Sequence, residues 1–333
     1  TARSNHALRR VLVGTQVTLA VVLASGAGLM LRSVLNMYRV DTGFSTENVL
    51  TFQLNPSASK YSSGESRVAF YDGLIGEIEA IPGVTSASAV FSLPLTGGTN
   101  NWSILIEGQE AATVGDAPAA RVQLCTPDYF ETLGLSLLRG RLFDEHDVAD
   151  SPPVVVISET MARTHWPNQD PLGKRMKVMD PSWPWLEVIG VVRDVRHQSV
   201  DQEPRTWWYV PYAQGYATAY YSPRNMYLAV HSDAEVEQVV PVIRNVVAGY
   251  DISAPISNLR TMDQIFAASI NGTRFVAILL GVFGGLALFL ASVGVYGVIS
   301  YAVSLRTHEI GLRMALGAPG MKVLAQIVRE GLV

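Results

Sequence analysis

Two stretches of this chain carry no charge for long enough to cross a lipid bilayer, and the rest of the fold has to be arranged around them. The first runs from Val11 to Leu31, 21 residues between Arg10 and Arg32, and the second from Phe275 to Leu305, 31 residues between Arg274 and Arg306. A span needs about 20 apolar residues at roughly 1.5 Å of rise each, so the first just crosses a hydrocarbon core and the second exceeds it. A secretory signal fits the first poorly. Its apolar core runs about 7–15 residues before a small-residue cleavage site, whereas Ala24-Ser25-Gly26 lies inside the run. A buried core helix fits the second poorly, since ordinary helices average about 12 residues.

Composition agrees with membrane segments: 48% of the 333 residues are apolar and only 16% charged, and the mean hydropathy is positive, +0.21. The net charge of -4 gives no basic field, so no nucleic-acid partner is expected. The single cysteine, Cys125, excludes an intrachain disulfide and a cysteine-rich metal site. Both spans carry small residues at helical spacing, Ala20, Ala24 and Gly28 in the first and Gly281 and Gly285 in the second. Small side chains let helix backbones approach closely in lipid, so these five are the expected helix-packing positions.

Between the spans lie residues 32–274, which carry a net charge of -9, and two spans place both ends of the chain on one side. Lys and Arg near the spans number five on the side of the ends and four on the side of the loop, a balance that leans toward cytoplasmic ends. The loop reads as α+β. Val49–Leu54, Glu65–Ala80 and Val84–Phe91 form one β-α-β unit, and Met226–His231, Glu235–Ala248 and Pro255–Leu259 form a second. Together they suggest a split β-α-β lobe over 32–92 and 226–274, near the membrane. Residues 93–225 then form an inserted, distal mixed α/β lobe with few contacts to it. Strands are expected there at Trp102–Glu107, Ala119–Leu124, Pro153–Ile157, Lys174–Met179 and Leu186–Val192, and short helices at Pro127–Leu133 and Ser158–His165.

A search for chemistry finds little. No G-x-x-x-x-G-K-[ST] occurs, so no P-loop and no ATPase activity are expected of this chain. Ser57-Ala58-Ser59-Lys60 matches S-x-x-K without the companion elements of that enzyme class. The six histidines lack metal-ligand spacing, and the acidic run Asp144, Glu145, Asp147 and Asp150 lacks the glycine of a calcium loop and reads as a solvated turn. No metal or cofactor is expected. Trp183, Trp185, Trp207, Trp208 and Tyr209 read as lobe packing, with an apolar pocket or partner surface as the other possibility.

The sharpest local signal follows the second span, from Arg306 to Ala318. Glu309 and Arg313 stand at i, i+4 in the favourable order, Gly311 lies inside the helix, and Gly317 with Pro319 ends it. This segment, with Leu138-Arg139-Gly140-Arg141-x-Phe143, Asp170-Pro171-Leu172-Gly173-Lys174-Arg175 and Val191-Val192-Arg193-Asp194-Val195-Arg196-His197, resembles the MacB/FtsX-type ABC transporter permease family. The resemblance covers essentially the whole chain and is nearest to the branch of acidobacterial duplicated orphan permeases.

The resemblance implies a cytoplasmic N-terminal segment (1–10), a transmembrane helix (11–31), the periplasmic lobes described above, a second transmembrane helix (275–305) and a cytoplasmic coupling helix (306–318). Residues 319–333 then approach a third helix, so the chain reads as a fragment of a multi-pass inner-membrane protein. It further implies that Arg306, Glu309, Ile310, Gly311, Arg313, Ala315 and Gly317 dock on a separate ABC ATPase subunit, the only component that binds ATP. Two permease units, or two halves of a longer chain, would pair, and ATP hydrolysis would drive export or mechanotransmission. A membrane-anchored extracytoplasmic sensor is the alternative, and it would require a cytoplasmic output domain.

Overall fold

The computed structural model describes residues 2–98, 100–109, 117–215, 223–305, 307 and 312. The chain divides into two compact units, Thr1–Arg39 with Asn271–Val333, and Val40–Ile270. In chain order the elements are α1 (Ala2–Met37), β1 (Val49–Leu54), α2 (Gly64–Glu79), β2 (Val84–Val90), β3 (Asn100–Ile106), β4 (Ala119–Cys125), α3 (Tyr129–Thr132) and β5 (Leu137–Gly140). There follow β6 (Val154–Ser158), α4 (Glu159–His165), β7 (Arg175–Val178), β8 (Leu186–Val192), β9 (Trp207–Pro211), α5 (Tyr212–Gly215), β10 (Met226–Ser232), α6 (Val236–Tyr250), β11 (Ser257–Thr261) and α7 (Met262–Leu305).

The two expected β-α-β units form and interlock. Their four strands lie in the order β11-β1-β10-β2 with antiparallel neighbours, the arrangement of a split β-α-β sheet. α2 starts where Ser63 accepts the Ser66 N–H at 3.1 Å, a side-chain N-cap that satisfies one of the first turn's free donors. It buries Phe70, Tyr71, Leu74, Ile75 and Ile78 along one stripe. α6 buries Val239, Ile243 and Val247 at four-residue spacing. Leu50, Phe52 and Leu54 on β1 stand opposite Val230, Leu228 and Met226 on β10. All six are buried in the same apolar core as both helix stripes.

Residues between these units close on themselves. β4-β3-β7-β8-β6-β9 run in sequence around a sheet, and β9 returns to pair with β4 in parallel register, Val122 opposite Trp208 and Leu124 opposite Val210. The result is a small six-stranded barrel filled by alternate side chains such as Val122, Leu124, Val155, Ile157, Val188 and Trp208. Closure also removes two free strand edges. Trp208 meets Trp183 edge to face with ring centroids 6.1 Å apart, and Trp183 meets Trp102 at 5.4 Å.

Three elements go beyond the sequence expectation: β5, β9 and α5. β9 is buried at every position, so it lacks the alternation that marks a strand with one wet face. The separation of the inserted lobe also differs from expectation. Val90 of β2 pairs with Cys125 of β4, with Phe91 N–H to Leu124 O and Thr126 N–H to Ala89 O both at 2.9 Å. Across the same junction the Tyr71 and Tyr212 rings meet at 5.7 Å. One apolar core therefore runs from Phe70 to Trp208, and the two lobes share it.

The helices α1 and α7 contain apolar stretches at Gly14–Met37 and Met262–Tyr301, each long and apolar enough to cross a membrane. Both helices extend past the charge-free limits of 11–31 and 275–305, because an α-helix continues through flanking polar residues until a cap or turn ends it.

Candidate functional site

The most informative place in the core unit is the root of α7. β11 ends at Thr261 and α7 begins at Met262 with no connecting loop. Gln264 N–H donates to Thr261 Oγ1 at 3.2 Å, and the Gln264 side-chain oxygen accepts from Thr261 N–H at 3.2 Å. This reciprocal pair is a capping box, in which each side-chain oxygen accepts from the other residue's otherwise orphaned backbone N–H. Met262 and Ile265 on the first turns are buried. The signal is legible in the sequence as Thr261-Met262-Asp263-Gln264, 14 residues ahead of the helix start that the charge-free limit places at Phe275.

The segment after α1 is held in a different way. Arg196 N–H donates to Thr42 O at 3.0 Å and Ser45 N–H to Leu133 O at 2.8 Å. Between them Gly43 has φ +80°, and a Cβ there would sit 2.1 Å from the Asp194 carbonyl oxygen. The close approach demands glycine. Asp194 in turn accepts Thr160 N–H at 2.8 Å and Thr160 Oγ1–H at 2.6 Å, satisfying the exposed start of α4. The surface ion pair Arg193–Asp41, at 3.1 Å, adds little to stability. The Val191–His197 motif is thus the seat for residues 41–45.

The other two motifs build the same wall. Gly140, at φ +76°, packs its Cα under Ile189 O and against Leu172, so the motifs at 138–143 and 170–175 meet on β8. Arg141 forms a bidentate pair with the buried carboxylate of Asp147 at 2.7 and 2.9 Å, so Asp147 is the paired anchor of the acidic run, while Asp144, Glu145 and Asp150 stay exposed. Among the described residues no group of three or more His, Cys, Asp or Glu is placed to hold a metal ion. Lys60 of the S-x-x-K match donates to Asp251 at 3.0 Å and lies in a loop-to-helix tie with Tyr61. Burial opposes the charge of Asp251, but hydrogen bonds from Ser253, Tyr61 and Lys60 hold its carboxyl well below the usual range.

Of the aromatic run, Trp183, Trp207, Trp208 and Tyr209 are buried and Trp185 is partly exposed beneath Lys177. Trp207 stacks on His197 with centroids 3.8 Å apart, and His197 Nε2 meets the Tyr209 hydroxyl at 3.0 Å. Burial, reinforced by the Arg121 charge, pushes the His197 pKa down to about 3. The ring is neutral. Burial also raises the Cys125 thiol well above its ordinary value, so it is inert.

Within the helix pair, Ala20 is buried, Ala24 half-buried and Gly28 exposed. The tight approach is at Gly284, where a Cβ would lie 3.4 Å from Ala24 N, while Gly281 and Gly285 have nothing within 4 Å. Arg306, Glu309, Ile310, Gly311, Arg313, Ala315 and Gly317 lie outside the described residues.

Comparison with known proteins adds the family. The chain is 27% identical over 198 residues to the macrolide export ATP-binding/permease protein MacB of Marinobacter nauticus, a match covering 58% of this chain and 30% of that one. It is 27% identical over 252 residues to MacB of Aggregatibacter actinomycetemcomitans, covering 72% and 36%. With YknZ of Bacillus subtilis, described as an uncharacterized ABC transporter permease, identity is 26% over 209 residues, covering 62% and 51%. The chain thus spans about a third of the length of the MacB relatives and half of YknZ. Among solved structures, the periplasmic region of MacB from Actinobacillus actinomycetemcomitans superposes with a TM-score of 0.45 at 18% identity, covering 68% of this chain and 94% of that one. The extracellular domain of YknZ gives 0.42 at 16%, covering 63% and 100%. A family profile described as the MacB-like periplasmic core domain matches residues 17–246, more than half of the chain, and the chain therefore belongs to the family of membrane proteins that carry a MacB-like periplasmic core domain.

Proposed function

We propose that the chain is part of an ABC-type permease subunit that couples ATP binding and hydrolysis by a separate cytoplasmic ATPase to motion of its periplasmic core domain. The observation that carries this reading is the loop-free passage from β11 into α7 and the unbroken helix from Met262 to Leu305. At 1.5 Å per residue its 44 residues make a rod of about 66 Å. No proline and no loop interrupts the passage from the core unit's last strand into the apolar stretch, and on this reading that continuity of secondary structure carries the coupling.

On this reading residues 32–274 are periplasmic, both ends are cytoplasmic, and the chain sits in the bacterial inner membrane as part of a multi-pass unit. Glu309 and Arg313, with Arg306, Ile310, Gly311, Ala315 and Gly317, form the surface that docks on the ATPase. The chain holds no cofactor of its own. The small residues facing lipid in the isolated pair, Gly28, Gly281 and Gly285, receive the remaining permease helices or a second permease unit.

The test is ATPase stimulation in a reconstituted complex of the full-length permease and its ATPase, with Glu309→Lys and Arg313→Glu combined. Loss of stimulation with normal membrane insertion is expected, and unchanged stimulation would place the docking surface elsewhere. Topology is checked by impermeant thiol labelling in intact cells. Ile252→Cys, at a position 88% exposed, should label, and His308→Cys should label only after permeabilisation; the reverse pattern would overturn the assignment.

A further inference from the structure

Beside the root of α7 the core unit holds a cavity of about 330 Å³, open on one side, between that helix and the sheet face opposite α2 and α6. One part of its wall is apolar, from Leu95, Ile265 and Ala268. Another part is polar and includes Arg260 and Tyr227. The backbone of Arg260 is fixed, because its carbonyl accepts from the buried Thr51 hydroxyl at 2.9 Å. Among the described residues its guanidinium forms no ion pair or hydrogen bond, and the Tyr227 hydroxyl likewise has no partner. A cation carried on a fixed backbone and unpaired among the described residues, together with a hydroxyl and an apolar wall, selects for an anion with an apolar extension.

The backbone around the cavity is strained. Of the four non-glycine residues with positive φ among those described, two line it, Leu95 at +64° and Asn258 at +53°. For a bulky residue such as leucine this conformation is unfavourable and persists only where the surroundings enforce it; such residues gather at ligand sites. The Leu95 N–H is locked onto His197 O at 2.7 Å, so the cavity rim is continuous with the buried His197 stack. Along α7, Ser269 on the cavity wall precedes Phe275, the first residue of the charge-free stretch, by six positions. That is about 9 Å of helix rise, comparable to the depth of a lipid headgroup layer.

We propose that this cavity binds the phosphodiester headgroup of an anionic membrane lipid, with Arg260 and the Tyr227 hydroxyl on the phosphate and the glycerol and first methylenes against Leu95, Ile265 and Ala268. Its volume suits a headgroup and not a whole two-chain lipid. A bound headgroup wedges between the sheet and the first turns of α7, which makes lipid occupancy a determinant of how firmly β11 and α7 are joined. This goes beyond the permease reading and does not depend on it.

The test uses the purified chain in a zwitterionic detergent, titrated calorimetrically with dihexanoyl phosphatidylglycerol, dihexanoyl phosphatidylcholine and inorganic phosphate. The phosphatidylglycerol should bind at least about tenfold more tightly than either of the others, and Arg260→Gln should weaken it about tenfold, the loss of one charge-assisted contact. Arg260 is exposed, so that variant keeps its fold, and unchanged circular dichroism verifies this. Ala268→Phe, which fills the cavity, should also abolish binding. Arg274→Gln, a cation on α7 outside the cavity, should leave affinity unchanged. Equal affinity for both lipids, wild-type affinity in Arg260→Gln, or an equal loss in Arg274→Gln would overturn the proposal. Phosphate binding as tightly as the lipid would overturn the lipid assignment in favour of a free phosphate site.

Discussion

Thr261 and Gln264 close the first turn of α7 on each other through two reciprocal 3.2 Å hydrogen bonds. The strand that supplies Thr261 is the edge strand β11, which pairs only with β1 among the described strands. The cap is therefore the joint between sheet and helix. Thr261→Ala should destabilise the core unit by about 1 kcal/mol, the usual cost of an N-cap deletion. Thr261→Ser, which keeps the oxygen, should cost much less. Hydrogen exchange of residues 262–266 should accelerate in the alanine variant; equal exchange in all three proteins would show that packing of Met262 and Ile265 alone holds the joint.

Gly43 and Gly97 make an internal control for the seat of residues 41–45. Both have positive φ, but a Cβ at Gly43 meets the Asp194 carbonyl at 2.1 Å whereas one at Gly97 meets nothing within 4 Å. Gly97→Ala should cost about 1 kcal/mol from backbone strain alone. Gly43→Ala adds a backbone collision and should cost clearly more, read as a lower melting temperature with loosened protection at Ser45 and Arg196. Equal melting temperatures would mean the 41–45 segment can lift from Asp194 at no cost.

His197 predicts a pH dependence with a definite sign. Its folded pKa is about 3, against about 6.5 in an unfolded chain. Between these values the unfolded state binds the extra proton, so stability rises with pH and is progressively lost as pH falls from about 6.5 toward 3. His197→Gln should lower stability at pH 7, where its partner Tyr209 loses the ring, and should flatten the slope between pH 4 and 6. An unchanged slope in the variant would show that other groups dominate acid unfolding.

In the helix pair, contact should follow Gly284. With Ala24→Cys, a disulfide should form readily to Gly284→Cys and poorly to Gly281→Cys or Gly285→Cys, since only Gly284 has the Ala24 backbone within 4 Å of its Cβ position. Gly284→Leu should separate the helices, because close backbone approach leaves no room for the side chain. Preferred crosslinking through Gly285 would mean the second helix is rotated by about one residue's angle.

How much was legible in the sequence depended on the range of the forces involved. The two apolar spans and the two β-α-β units are local statements. Val68, Tyr71, Leu74, Ile75 and Ile78 declare a helix by their spacing, and Leu50, Phe52 and Leu54 declare a strand by alternation, whatever the rest of the chain does. The resemblance to the permease family likewise rested on contiguous motifs, and the family profile over residues 17–246 agrees with it.

What the tertiary structure decided are pairings between residues far apart in sequence. β9 is invisible to periodicity because both of its faces are buried, and only its parallel register with β4 shows that the barrel closes. The motifs at 138–143, 170–175 and 191–197 read as equal signals in the sequence, yet their reason is steric: Gly140 beneath Ile189 and Asp194 above Gly43. Within the helix pair the approach to α1 falls at Gly284, a position that the Gly281–Gly285 spacing does not mark, because helix rotation is set by the partner and not by the motif. Composition and spacing bound which elements exist; long-range packing, with its demand that every close approach find room, determines where they meet.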